Sequence, residues 1–215
     1  MEKKIYNEMS TWYLLPGMGA NPAMYNSLRR EVGFEINYID WPDYRGERTY
    51  AEVAKRVIDA CGIKDGDIAG GSSLGGMIAL EIARQRKLSA VVLLGSAPSP
   101  GEVQGLLSLL SPLAGFTPLS LIQILAGKHE NIVPRMFAEA DPEFVKSMCV
   151  YLRSWPGNRN PGAPLYRIHG KKDHVIPCPT EGCEIVPEAG HLLAITPSRV
   201  CGAFLNSVKM RDHRA

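Results

Sequence analysis

Long hydrophobic runs are missing from these 215 residues. No stretch approaches the roughly 20 apolar residues that a membrane-spanning helix needs. The first ten residues are charged and carry no apolar segment ahead of a small-residue cleavage site. The sequence therefore predicts neither a signal peptide nor a membrane span, and the expected location is cytoplasmic. Charge of one sign is lacking too: 24 basic residues stand against 22 acidic ones, a net charge of +2. That balance gives no pull toward nucleic acid or a charged bilayer. Cysteine is sparse. Cys61, Cys149, Cys178, Cys183 and Cys201 are scattered and odd in number. Cys178 and Cys183 are near neighbours, but not as C-x-x-C, and no second pair of metal ligands accompanies them. Reduced thiols are the expectation. Repeats and low-complexity tracts are absent as well, which leaves one domain over 1–215, long enough for a substantial core.

What is present centres on Gly70-Gly71-Ser72-Ser73-Leu74-Gly75-Gly76. Asp67-Ile68-Ala69 ahead of it reads as a brief buried strand, stopped by the glycines. Residues 77–84 behind it have apolar positions at helical spacing. Gly71, Ser73 and Gly75 fit G-x-S-x-G, the pattern of a sharp strand-to-helix corner where flanking side chains would collide with neighbouring chain. Such a corner pushes the serine oxygen into the open beside a helix N-terminus, which favours developing negative charge. Ser72 competes, but it has Gly70 before it and Leu74 after it, so Ser73 is the candidate. A glycine-rich turn capped by serine explains these residues equally simply when they are taken alone. A phosphate-binding P-loop fits poorly, because no Lys-Ser or Lys-Thr pair closes the motif.

The rest of the chain alternates. Thr11-Trp12-Tyr13-Leu14-Leu15 predicts a buried strand ended by Pro16-Gly17, and Asn21-Pro22 starts a helix running to residue 31. Further strands are predicted at 35–39, 90–94, 165–169 and 184–186, with helices at 50–61 and 197–210. Strand and helix in alternation mean an α/β fold with a mostly parallel sheet. The rhythm breaks over 97–163, where apolar helical patterns are cut by glycine and proline and no strand is evident. That segment reads as a helical insertion after the fourth predicted strand: ordinary packing on one face of the sheet would explain it, and its apolar density fits a lid over an apolar pocket at least as well.

Serine needs a base, and the base needs orienting. Loops after later strands offer both: Gly170-Lys171-Lys172-Asp173-His174-Val175-Ile176-Pro177 and Pro187-Glu188-Ala189-Gly190-His191. In a parallel sheet these loops emerge at the same edge as the corner at Ser73, so Ser73, Asp173 and His191 can converge. His169 and His174 are weaker candidates for the base, since one ends a strand and the other adjoins the acid. His129 and His213 read as surface residues, and Glu188 is too local to His191 to replace Asp173. Asp67 and Glu81 read as caps or solvated flanks of the corner.

The order Ser, Asp, His, with G-x-S-x-G, G-x-x-D-x-x-I-P and a Gly-His turn, resembles the α/β-hydrolase superfamily from Leu14 to Phe204. The resemblance implies a three-layer α/β-hydrolase fold of about six strands, lacking the first two of the full-size sheet. It implies Ser73 as nucleophile, His191 as general base and then acid, and Asp173 as the carboxylate that orients the imidazole. The backbone N–H groups of Met18 and Leu74 would hold the oxyanion, although Pro16 stands where the family has histidine before its oxyanion glycine. Asp40-Trp41-Pro42-Asp43-Tyr44-Arg45-Gly46 loosely resembles the family's D-x-P-G-H-G-x-S stretch. The implied activity is cleavage of a carboxylic ester or thioester through an acyl-enzyme, with no cofactor and no metal. Its partner would be a small molecule with an apolar acyl group, an acyl carrier among the candidates. From another class comes a catalytically silent relative that uses the same pocket only to bind. Gly17-Met18-Gly19 with Asp40 mimics half of a dinucleotide fingerprint, but Pro22 occupies its third glycine and the serine motif has no role there.

Overall fold

The computed structural model describes residues 10–103 and 138–212. Its strands are β1 (Trp12–Leu15), β2 (Asn37–Tyr38), β3 (Ile68–Ser72), β4 (Ala90–Leu94), β5 (Leu165–Gly170) and β6 (Glu184–Val186). Its helices are α1 (Tyr50–Cys61), α2 (Leu74–Gln85), α3 (Pro142–Tyr151) and α4 (Ser198–Asp212). The six strands form one sheet in the order β2-β1-β3-β4-β5-β6, and every pairing is parallel. Strand β4 explains the three layers. All five of its residues are buried, with Val91 and Leu93 packing among α1, α2 and α3 on one face. Ala90, Val92 and Leu94 face the other way, into a second cluster with Cys201, Leu205 and Val208 of α4. A parallel strand covered on both sides must be apolar throughout, and this one is.

Strand order reverses once. From β1 the chain steps outward to β2 and then returns to β3 on β1's other side. The crevice outside the carboxyl ends of β1 and β3 is therefore the switch point where open parallel sheets take ligands. The glycine-rich loop 16–20 and the strand-to-helix corner at Ser73 leave the sheet there.

The predicted limits of α1, β4 and β6 coincide with the observed ones. Thr49 caps α1 by accepting from Glu52 N, and Gly62 ends it in the left-handed region at φ 67°. Residues 22–31 do not form the expected helix. They make two 3₁₀ turns, Pro22–Tyr25 and Leu28–Arg30. Asn26 and Ser27 between them are weak helix formers, and Tyr25 has a tertiary task. Its fully buried hydroxyl donates to Leu15 O at 2.6 Å and accepts from Ser72 N at 3.1 Å, tying the ends of β1 and β3 together. Burial drives its pKa far above the ordinary tyrosine value, so the hydroxyl keeps its proton and can donate. Tyr25→Phe should remove both hydroxyl bonds at this junction and cost about 1 kcal/mol, read as a lower urea midpoint.

Strand β3 runs through the glycines instead of stopping at them. A Cβ on Gly70 would lie 2.5 Å from Val92 O, so only glycine lets this register continue. The strand predicted at 35–39 shortens to a two-residue edge paired with Tyr13 and Leu14. Among the described residues no strand pairs beyond β2, and no helix is long and apolar enough to cross a membrane. Of the expected lid, a 3₁₀ turn at Pro100–Val103 and helix α3 are described. Residues 104–137, His129 with them, lie outside the described residues, as does His213.

Candidate active site

The corner at Ser73 is built from absences of side chain. A Cβ on Gly71 would come within 2.5 Å of Leu15 O and 2.6 Å of Gly75 C. On Gly75 it would meet Leu15 O at 2.4 Å and Pro16 O at 2.5 Å. The end of β1, the end of β3 and the start of α2 are thus pressed backbone to backbone. Ser73 sits at φ 51°, ψ −118°, the one non-glycine residue with positive φ among those described. That conformation costs of order 1–3 kcal/mol, which the surroundings must outweigh. Ser73 N donates to Leu94 O at 3.2 Å, and Ser73 O accepts from the buried Ser96 hydroxyl at 2.6 Å. Ser72, the competing serine, is the last residue of β3 and 1% exposed.

Asp173 and His191 arrive on adjoining turns. Strand β5 ends at Gly170, where a Cβ would strike Ala189 O and Gly190 O, each at 2.5 Å. Lys171 N donates to Val186 O and Lys172 N to Ala189 O, so the acid turn is laced onto the histidine turn. His191 Nδ1 lies 2.8 Å from Asp173 Oδ2, and His191 Nε2 lies 3.0 Å from Ser73 Oγ. The structure brings all three side chains into one hydrogen-bonded line. Asp173 Oδ1 accepts from Val175 N at 2.8 Å and Ile176 N at 2.9 Å. Burial alone would raise the Asp173 pKa. The charge interaction with His191 and hydrogen bonds from His169, His191 and the Ile176 amide outweigh it, and hold the carboxyl well below the usual range. It is an ionised, fully solvated-by-protein acceptor.

His169 is the residue whose place the sequence left open. It is 1% exposed, and its Nε2 lies 3.0 Å from Asp173 Oδ2 and 2.9 Å from Ile176 O. Both neighbours are acceptors, so this nitrogen carries the proton. His169 thus touches the acid on the oxygen that also faces His191, and does not reach Ser73. A histidine at the end of a strand, four residues before the acid, was the available signal. His174 is exposed, and Glu188 pairs with Lys172 on the surface. Asp67 caps a turn, accepting from Thr11 N and Lys64 N, while Glu81 accepts from Trp155 Nε1 and Arg84 Nε.

Two backbone amides stand beside the serine corner. Met18 N and Leu74 N have no acceptor among the described residues. Leu74 opens α2, whose first N–H groups are unsatisfied by construction. Met18 lies in a turn from Gly17 to Ala20, closed by Ala20 N donating to Gly17 O at 3.1 Å, with Gly19 at φ 68°. Helix α3 packs above this turn: Cys149 Sγ is 3.4 Å from Met18 Sδ, and Tyr50 OH donates to Met148 O. Beside the turn opens a cavity of about 370 Å³. Its walls include Trp41, Tyr44 and Phe144 together with Asp40, Asp43, Glu139 and Asp141, a more polar lining than the expected apolar pocket. Among the described residues no group of three His, Cys, Asp or Glu is placed to hold a metal.

The chain belongs to the alpha/beta hydrolase family, whose model matches residues 13–203. No curated protein sequence matches it significantly. Among solved structures, it is similar to a thermophilic esterase from Thermogutta terrifontis at 18% identity, covering 95% of this chain and 90% of that one, TM-score 0.68. A hydrolase from Oleispira antarctica aligns at 15% identity over 94% and 91% of the two chains, TM-score 0.69. A variant of the N-acyl homoserine lactonase AidH, complexed with N-hexanoyl homoserine lactone, aligns at 14% identity over 96% and 92%, TM-score 0.70. At such identities the likeness is one of fold.

Proposed function

We propose that this hydrolase cleaves a carboxylic ester or thioester through a Ser-His-Asp triad and an acyl-enzyme intermediate. The observation that carries the reading is the unbroken line from Asp173 Oδ2 to His191 at 2.8 Å and from His191 to Ser73 Oγ at 3.0 Å. His191 Nε2 takes the Ser73 proton as Oγ attacks the carbonyl carbon, and Asp173 holds the imidazole in the tautomer with hydrogen on Nδ1. Negative charge on the former carbonyl oxygen is met by Met18 N–H and Leu74 N–H, each worth about 3 kcal/mol in the transition state. His191 then gives its proton to the leaving alcohol or thiol, and in the second half activates water to release the acid. A silent binding role would not require a strained serine in line with a base, and that favours catalysis.

The substrate enters beside the 16–20 loop, under helix α3, the described helix of the expected lid. Helix α3 against Met18 and Phe144 against Trp41 at 5.1 Å support that role. The 370 Å³ cavity is lined by none of the three triad residues; it adjoins the 16–20 turn and has the size for one arm of a small substrate. Esters, acyl-CoA thioesters and lactones (cyclic esters) share the reacting carbonyl. p-Nitrophenyl esters of increasing chain length, a matched acyl-CoA series and an N-acyl homoserine lactone should give turnover on at least one set. Absence of turnover on all three, with no covalent labelling by a fluorophosphonate, would return the chain to the silent class.

A further inference from the structure

We infer that Trp41 is a positioning residue for the oxyanion hole, acting through the carbonyl of Gly17; this rests on the hydrolase reading above. The indole Nε1 donates to Gly17 O at 3.2 Å. The carbonyl it grips belongs to the peptide bond whose nitrogen is that of Met18. In a trans peptide the C=O and N–H point to opposite sides of one rigid plane. Fixing the direction of Gly17 O therefore fixes the direction of Met18 N–H.

The grip matters because of what surrounds this peptide. Gly17 lies against the nucleophile: a Cβ on it would be 3.7 Å from Ser73 Cβ, so the Gly17–Met18 plane borders the reaction centre. Its other anchor is local, the bond from Ala20 N that closes the turn. Glycine on one side gives the plane rotational freedom. A rotated plane would present a carbonyl oxygen where an oxyanion must sit, replacing attraction by repulsion. Among the described residues Trp41 supplies the one side-chain donor to that oxygen, from a segment 24 residues away.

Trp41 is itself held. Its own N–H donates to Asp40 Oδ1 at 2.9 Å, and its ring leans on Phe144 of α3, centroids 5.1 Å apart and planes at 44°. The segment following β2, the oxyanion turn after β1 and the helix above both are thereby joined through one indole. The Met18 side chain also meets the same helix, its Sδ 3.4 Å from Cys149 Sγ. The alignment of the amide thus depends on α3 being seated, which couples the covering helix to transition-state stabilisation.

Trp41→Phe keeps the ring contact with Phe144 and deletes the donor. On a p-nitrophenyl ester turned over by the wild type, kcat should fall about tenfold, part of the effect of losing a whole oxyanion donor. KM should stay within about twofold, because the ground-state carbonyl demands less of the amide than the oxyanion does. In ¹⁵N-labelled protein phosphonylated at Ser73, the Met18 amide resonance should shift strongly in the wild type and weakly in the variant. Unchanged kcat, a loss carried by KM, or a loss tracking a lowered thermal midpoint would overturn the assignment. Trp41→Leu, read in the same way, serves if Trp41→Phe does not fold. A wild type that neither turns over ester nor accepts the probe sinks the hydrolase reading and this assignment with it. Failure of Trp41 alone leaves a labelled, active wild type.

Discussion

Ser73→Ala should reduce ester turnover by roughly 10⁵–10⁶-fold while leaving the fold intact. Alanine tolerates φ 51° no worse than serine does, and the bonds made by the Ser73 backbone to Leu94, Gly76 and Ser96 remain. The thermal midpoint should therefore stay close to the wild-type value. What disappears is the oxygen that lies 3.0 Å from His191 Nε2. Ser72 cannot replace it. It is the last residue of β3, 1% exposed, and no bond joins its hydroxyl to His191 among the described contacts. Residual hydrolysis from the two amides and the bound geometry should stay some 10³–10⁴-fold above water. The assay is kcat on a p-nitrophenyl ester with protein free of other esterases. Activity above a few per cent of wild type would mean that the nucleophile lies elsewhere.

Asp173→Asn should lower kcat by about 10⁴-fold, and the local hydrogen bonds say why. Val175 N and Ile176 N both donate to Oδ1, so the asparagine carbonyl must take that position. The amide nitrogen then falls at Oδ2, facing His191 Nδ1 at 2.8 Å and His169 Nε2 at 3.0 Å. Nδ1 must turn acceptor, which puts the ring proton on Nε2 and removes the lone pair that takes the Ser73 proton. The same substitution changes acid stability. The folded-state pKa of Asp173 is depressed below its ordinary 3.8. Its contribution to stability is complete above that value and drains away as pH falls through the folded pKa. Urea midpoints of the wild type should therefore drop as pH is taken below 4, and those of Asp173→Asn should drop less. Equal slopes would show that the carboxylate is not held as described.

The serine corner was legible because its constraint is steric. Only glycine fits at 71 and 75, and two glycines flanking a serine between a strand and a helix are visible in any alphabet. Strand β4 was legible for a similar reason, since burial on both faces leaves a five-residue apolar run. The 22–31 segment misled because Tyr25 answers to β1 and β3, far off in sequence, and not to its own helical neighbours. His169 was visible as a residue but not as a contact. Which side of Asp173 it touches depends on how β5 ends against the 187–191 turn. Trp41 stood in a stretch already compared with a family motif, yet nothing in the letters says where an indole nitrogen points. The polar cavity walls belong to segments that meet only when α3 packs over the 16–20 and 40–44 loops.

The most direct test of the central claim is covalent. Intact-mass analysis of the wild-type protein after treatment with a fluorophosphonate, followed by peptide mapping, should give one phosphonyl group per chain, on Ser73. No adduct, or an adduct on Ser72 or another side chain, would contradict the account.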